Sequence, residues 1–299
     1  MTDLSTRAGG PDPLPAPLPV PPPRFKGQAA VITGGARGIG KAHAIALARE
    51  GCDIVIGDIL EDLPDGTPYE KATQAELDET ASQVEALGVR CVAVRSDVRR
   101  PEDGERLIDL AVSKFGRLDI LVSNAALTIE NELVDTPAED FDTVIRTNLL
   151  GAFHVIRPAL KIMTRAGRGR VIIIGSGAGR HAEEKAGPYV ASKWALIGLA
   201  KTAALEVAKS GVTVNVVLPG PTDTAMMNGP TRYRQAAPDK PNPTREDYLK
   251  AKAEATPMGL AWIKPEDVAT TSLFLASDEA RFISGVALSV DAADCAKWT

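Results

Sequence analysis

Seven short runs rich in valine and isoleucine alternate along the chain with stretches of helical periodicity. This alternation constrains the fold more than any other feature. The runs span 29–33, 53–58, 91–96, 118–123, 170–175, 212–218 and 285–290. They are apolar nearly throughout, not at every second position, as parallel strands covered on both faces must be. Helical patterns fall near 39–50, 74–87, 102–115, 138–163, 189–210 and 265–275. Repeated strand–helix–strand order predicts an α/β fold with a single doubly wound parallel sheet (a Rossmann fold), about seven strands with helices on both faces.

Two connections are long for such a fold. The segment 59–73 lengthens the join after the second strand, and 221–264 separates the sixth strand from the next helix. The second follows a strand carboxyl end, where ligands of open α/β sheets bind, and it is expected to be the substrate loop. Met226, Met227, Leu260 and Trp262 within it suit either an apolar pocket cover or core packing. At the other end of the chain, proline occupies alternate positions from Pro11 to Pro21 and continues through Pro23. Such a segment forms no ladder of its own and leans to the polyproline conformation. Residues 1–26 are therefore expected to be a disordered arm, and residues 27–299 the folded domain.

The 299 residues carry a formal charge of -5. That balance gives no electrostatic reason to expect nucleic acid or an anionic membrane as partner. No apolar run approaches the ~20 residues of a membrane helix, and the first residues lack a signal-peptide pattern. Cys52, Cys91 and Cys295 have no metal-ligand spacing; the first two fit buried free thiols in a reducing, cytoplasmic setting. His43 and His154 fall in helical stretches and are expected to be structural. His181 is placed where it could face a substrate. No metal site is expected.

Thr33-Gly34-Gly35-Ala36-Arg37-Gly38-Ile39-Gly40 follows the first strand and opens the first helix. Glycines there permit a tight turn and close backbone approach to a pyrophosphate, and the helix start supplies N–H donors. Asp58 ends the second strand, where a carboxylate accepts from adenosine ribose hydroxyls and repels a 2′-phosphate, which favours NAD over NADP. Arg37 is the opposing signal, since its guanidinium could pair with that phosphate.

Tyr189 and Lys193 stand one helical turn apart on one face. A tyrosine of ordinary pKa about 10 is a poor base at neutral pH, and a neighbouring ammonium favours its phenolate. Ser176, at the end of the fifth strand, is placed to donate to a substrate oxygen. These groups suit proton transfer to and from an alcohol or ketone while a hydride moves to or from a nicotinamide.

Taken in order, Thr33-Gly34-x3-Gly38-Ile39-Gly40, Asp97, Asn124-Ala125-Ala126, Asn148-Leu149-x-Gly151, Ser176, Tyr189-x3-Lys193 and Pro219-Gly220 resemble the short-chain dehydrogenase/reductase family. The resemblance covers 27–288. Ala126 departs from a glycine common in the family, and Gly175 stands where many members have a second serine. The resemblance implies Ser176, Tyr189, Lys193 and Asn148 as catalytic residues, with Lys193 also on the nicotinamide ribose and Asn148 holding a water on the proton path. It implies cofactor contacts from Asp97 at the adenine edge, with Val98 beside it, from Asn124, and from Pro219, Thr222 and Thr224. It also implies a homotetramer formed through the long helices at 138–163 and 189–210, with Trp194, Leu196, Leu199 and Ala203 as apolar surface.

More narrowly, Ala72-Thr73-x3-Leu77-x2-Thr80, Asn242-Pro243-Thr244-Arg245-Glu246-Asp247 and 275–281 are similar to the carveol dehydrogenase-like, mycofactocin-coupled branch. That implies a terpenoid-like substrate, slowly exchanging NAD under the 59–73 loop, and a redox partner that regenerates it. The reading is thus an NAD-dependent alcohol dehydrogenase/ketoreductase. An NADPH-dependent biosynthetic ketoreductase and a non-catalytic cofactor-binding protein are the alternatives, and Asp58 and the intact Ser176, Tyr189 and Lys193 argue against them. The alternative for the 59–73 loop is a surface insertion packed on its own helix.

Overall fold

The computed structural model describes residues 22–297. Seven strands form one parallel sheet: β1 (Ala29–Thr33), β2 (Asp53–Asp58), β3 (Cys91–Arg95), β4 (Ile120–Ser123), β5 (Gly169–Ile174), β6 (Val212–Pro219) and β7 (Ala287–Val290). Their order is β3-β2-β1-β4-β5-β6-β7, with every neighbour parallel. The fold expected from the alternation is the fold observed, with ends shifted by one or two residues.

Side-chain alternation along each strand supplies the two faces. Ala30, Ile32, Ile54, Ile56, Ile120 and Val122 point into one apolar cluster. Val31, Val55, Leu121, Val171 and Ile173 point into the other. Helices α1 (Gly38–Arg49) and α9 (Pro265–Ala276) cover the first face, with α2 (Gln74–Glu85) beside them. The second is covered by α3 (Pro101–Phe115), α5 (Gly151–Ala166) and α6 (Gly187–Val207). This is why the strands carry no polar alternation.

Local signals set the helix ends. Thr73 and Glu76 form a reciprocal capping box at the start of α2, which closes the 59–73 loop on a fixed point. Gly116, at φ 81°, stops α3. The single helix expected over 138–163 is interrupted. It runs as α4 (Ala138–Ile145), a π turn over Arg146–Leu150, and α5. Periodicity does not resolve a one-residue widening of this kind, and here it falls on Asn148. The substrate loop also holds more structure than a loop: α7 (Pro230–Ala236) and α8 (Arg245–Ala255), the latter opened by a Thr244–Asp247 capping box.

Most of the proline arm lies outside the described residues. Its last residues, 24–26, pack on the domain: Phe25 is in the core, and Arg24 pairs with Glu50 at 2.9 Å. Cys52 is buried, whereas Cys91 and Cys295 are only partly covered; all three are free thiols. His43 is buried between the Ile39 carbonyl and Ser272 Oγ, each at 2.7 Å, and His154 holds the Val98 carbonyl. Of the four residues expected to give apolar surface on α6, only Trp194 is largely exposed, at 53%. Leu196 and Ala203 are buried against the sheet, and Leu199 is partly buried there. Among the described residues no helix is long and apolar enough to cross a membrane.

Candidate active site

A cavity of about 680 Å³ opens at the carboxyl ends of the strands, beside the point where β1 pairs with both β2 and β4. That reversal of strand order is where open α/β sheets bind ligands.

One end of the cavity is lined by Gly34, Arg37, Gly38 and Ile39. Gly34 adopts φ 67°. A Cβ at Gly40 would lie 2.0 Å from the Gly34 carbonyl oxygen, so only glycine allows this turn. Gly40 and Thr33 shape the turn without lining the cavity. Thr33 Oγ1 accepts from the backbone N–H groups of Asn124 and Ala125, both at 3.0 Å. The Asn124 amide in turn donates to the carbonyls of Thr33 and Gly34. Asn124 therefore clamps the glycine turn as well as lining the cavity. No side chain caps the start of α1, and its first turn has no acidic residue. Its N–H donors and positive dipole end are open to an anion. The residues present fit a dinucleotide.

Asp58 lines the same end. Its two carboxylate oxygens accept from the backbone N–H groups of Ala36 at 3.0 Å and Ile59 at 2.9 Å. Burial raises its pKa, opposed by those two donors and by Arg37. The Arg37 guanidinium turns toward Glu70 and Glu76: it donates to the Glu70 carbonyl and lies 3.7 Å from the Glu76 carboxylate. Asp97 and Val98 line the adjoining wall. Burial pushes the Asp97 carboxyl up, but the Arg99 guanidinium, which donates to both of its oxygens, holds it below the usual range.

At the other end stand Ser176, Tyr189 and Lys193. Ser176 follows β5 in extended backbone, and its Oγ accepts from the Ala178 N–H. Tyr189 and Lys193 occupy the first turns of α6. Lys193 Nζ donates to the Ile174 carbonyl at 2.9 Å. The expectation that the lysine lowers the tyrosine pKa is not met in this geometry. Burial raises the Tyr189 phenol to about 12, against a hydrogen bond from Ser176. Burial alone lowers Lys193 to about 7. Lys193 is buried with its amine held by a carbonyl, and Tyr189 is partly buried, so desolvation dominates.

Asn148 does not line the cavity. Its side-chain oxygen accepts from the Leu127 N–H at 2.8 Å, and its amide donates to the Leu127 carbonyl and to Ser192 Oγ. Ser192 Oγ donates onward to the Tyr189 carbonyl at 2.7 Å. Both amide hydrogens of the side chain are thus used within the protein, and the residue sits in the π turn. Pro219, Thr222 and Thr224 line the cavity beyond β6.

Met226, Met227 and His181 reach the cavity, with His181 Nε2 3.4 Å from Glu183. Leu260 and Trp262 do not line it. Trp262 packs at a tilt on Tyr248, with centroids 5.5 Å apart, so of these four residues the two methionines are the ones that reach the pocket.

The 59–73 loop does not simply pack on its own helix. Asp62, Leu63 and Pro64 line the cavity near Asp58, and Tyr69 lines it too. A Cβ added at Gly66 would lie 3.1 Å from Ile129, and one added at Gly229 would lie 3.2 Å from the Pro68 carbonyl oxygen, so the loop passes close to both segments. Tyr69 and Arg232, both lining the cavity, were not marked by the sequence reading. A lone tyrosine in a proline-rich loop was the only available signal for the first. Among the described residues no three His, Cys, Asp or Glu side chains are grouped to hold a metal ion.

Residues 34–292 match the family model described as enoyl-(acyl carrier protein) reductase. The chain is 38% identical to a (-)-trans-carveol dehydrogenase of Rhodococcus erythropolis over 90% of its own length and 98% of that protein. Among solved structures, it resembles carveol dehydrogenase from Mycobacterium avium in complex with NAD at TM-score 0.87 and 35% identity, covering 90% of this chain and 98% of that one. It also resembles a short chain dehydrogenase from Mycobacterium paratuberculosis bound to NAD at TM-score 0.82 and 36% identity, with the same coverage. The chain is an oxidoreductase that belongs to the short-chain dehydrogenase/reductase family, in its carveol dehydrogenase-like branch.

Proposed function

We propose that this protein interconverts a secondary alcohol and a ketone with NAD as the hydride carrier. The observation that carries this reading is the meeting, in one cavity, of an uncapped glycine-turn helix and the group Ser176, Tyr189 and Lys193. NAD, when bound, supplies the hydride acceptor for oxidation and, reduced, the donor for reduction. Tyr189 holds the proton that the substrate oxygen gains or loses. Ser176 Oγ donates to that oxygen and fixes its position. Lys193 binds the cofactor's ribose and, with a pKa near 7, exchanges a proton with Tyr189 at neutral pH. Asn148, through Ser192, holds the Tyr189 backbone and so acts as a positioning residue.

The choice of NAD rests on Asp58 and Arg37 together. The carboxylate is fixed by backbone donors at the ribose end, and the guanidinium is engaged by Glu70 and Glu76, so it is not free to pair with a 2′-phosphate. The similarity to carveol dehydrogenases, with Met226 and Met227 in the wall, supports an apolar, terpenoid-like substrate. The 59–73 loop acts as a lid that slows NAD exchange, which suits regeneration of bound NAD by a redox partner. Exposed Phe153, Trp194 and Leu205 support assembly into a homotetramer. The test is NAD against NADP affinity in wild type and Asp58→Ala, with turnover of a panel of secondary alcohols. NAD preference in wild type that narrows in the variant is expected; NADP preference in wild type contradicts the reading.

A further inference from the structure

Nine buried side-chain polar atoms lack a hydrogen-bond partner among the described residues. Two of them, the Tyr69 hydroxyl and Arg232 Nε, belong to side chains that line the cavity; the Thr128 N–H approaches the Tyr69 oxygen, so what stays unmatched there is the O–H hydrogen as a donor. They come from different elements. Tyr69 stands on the lid that follows β2, and Arg232 on α7 of the substrate loop. A Cβ added at Gly229, just before α7, would lie 3.2 Å from the Pro68 carbonyl oxygen, so the two elements pass close together there. Arg232 is close enough to both Tyr69 and Tyr189 for its charge to oppose the burial of each phenol. The two donors therefore share the reacting end of the cavity with Tyr189.

We propose that Tyr69 and Arg232 form a polar subsite that binds a second oxygen of the substrate, away from its reacting carbon. The proposal rests on the alcohol/ketone reading above and narrows it: the substrate is an oxygenated cyclic alcohol or ketone, not a hydrocarbon alcohol with one functional group. Buried donors left unpaired are costly, and a ligand oxygen lying between them satisfies both.

The charge balance decides which oxygen. Arg232 forms an ion pair with Glu130, whose side chain is only 7% exposed, and Gln235 donates to the second Glu130 oxygen. The guanidinium charge is already compensated, so a substrate carboxylate would bring a surplus negative charge into an enclosed site. A neutral acceptor such as a carbonyl, ether or hydroxyl oxygen takes both donors without that cost. Glu130 thus has a positioning role: it fixes the fork of Arg232 and leaves Nε directed elsewhere.

The probe is a set of cyclohexanols that carry, at each ring position in turn, either a methoxy or an ethyl group. The members of each pair differ only by an ether oxygen in place of a methylene. Turnover with NAD is measured for each pair, and binding to the NAD-loaded protein by calorimetry. In wild type, at one ring position or more, the methoxy compound should exceed its ethyl partner by about tenfold or more in kcat/KM and in affinity. Tyr69→Phe should bring that ratio close to one. Arg232→Met paired with Glu130→Gln, which leaves no buried charge unpaired, should do the same. A merely structural role would lower both members together and keep the ratio. No preference at any position in wild type, or a preference that survives both variants, overturns the proposal. If no alcohol is oxidised at all, the oxidoreductase chemistry proposed above fails, and the calorimetric ratio still decides the subsite.

Discussion

Lys193 Nζ lies 5.4 Å from the centroid of the Tyr189 ring, one helical turn further along α6. Lys193 is buried and Tyr189 partly buried, and burial acts on the two in opposite directions: the phenol rises to about 12 and the amine falls to about 7. At neutral pH Tyr189 is therefore protonated, ready to give a proton to a ketone oxygen. Lys193 is poised between its charged and neutral forms. Proton exchange in this site depends on desolvation as much as on the attraction that the four-residue spacing suggests.

His43 gives a pH dependence of stability. Burial lowers its pKa from 6.5 to about 4, against the hydrogen bond to the Ile39 carbonyl. Between these values the unfolded chain binds a proton that the folded chain does not, so stability falls as pH falls through that window. The full loss is about 3 kcal/mol below pH 4, and there is none above 6.5. Denaturant unfolding at pH 7 and at pH 4.5 should show wild type losing more stability on acidification than His43→Gln. Equal losses in the two proteins would remove His43 from the acid response.

Asn148→Ala should destabilise the fold by about 3 kcal/mol. It leaves the N–H and carbonyl of Leu127 without their buried partners, at about 1–3 kcal/mol for each orphaned group. Asn148→Asp keeps an acceptor for the Leu127 N–H but places an unpaired carboxylate against the Leu127 carbonyl at a buried position, so a loss at least as large is expected from it. Chemical denaturation of the three proteins checks this. A loss below about 0.5 kcal/mol for the alanine variant would mean that the Leu127 segment relaxes to satisfy itself.

The sheet was legible in the sequence because every strand is apolar on both faces, a pattern that only two helical layers can bury. The glycine turn, Asp58, Ser176, Tyr189 and Lys193 were legible because their chemistry requires particular residue types at fixed places in the β-α order. The π turn at Asn148 was not, since one residue of helical widening leaves the hydrophobic period almost unchanged. Leu196 and Ala203 were misplaced for a related reason: α6 is apolar around much of its circumference, so its sequence does not say which face meets the sheet. Tyr69 and Arg232 were missed because their roles arise from the meeting of two irregular segments some 160 residues apart in the chain, and no local pattern records it.

The lid over 59–73 predicts slow release of NAD. Pro64 and Pro68 restrict the loop, and it passes close to Ile129 and Gly229 in two other segments. Replacing 61–70 with a short Gly/Ser turn should speed dissociation by about tenfold or more, since closure of this kind acts mainly on the off-rate. Dilution of the purified protein, with bound NAD followed over time, measures it. Equally fast release from both proteins would remove the lid role.

The most direct test of hydride transfer at Tyr189 is isotopic. A secondary alcohol labelled with deuterium at the reacting carbon is incubated with NAD and the protein, and the nicotinamide product is examined by mass spectrometry. Wild type should pass the deuterium to NAD. Tyr189→Phe should do so at least ~100-fold more slowly, the low end for loss of a general acid or base, while NAD affinity stays near wild type. Absence of label from NADH formed by wild type, or transfer by Tyr189→Phe within a few-fold of wild type, would contradict the assignment.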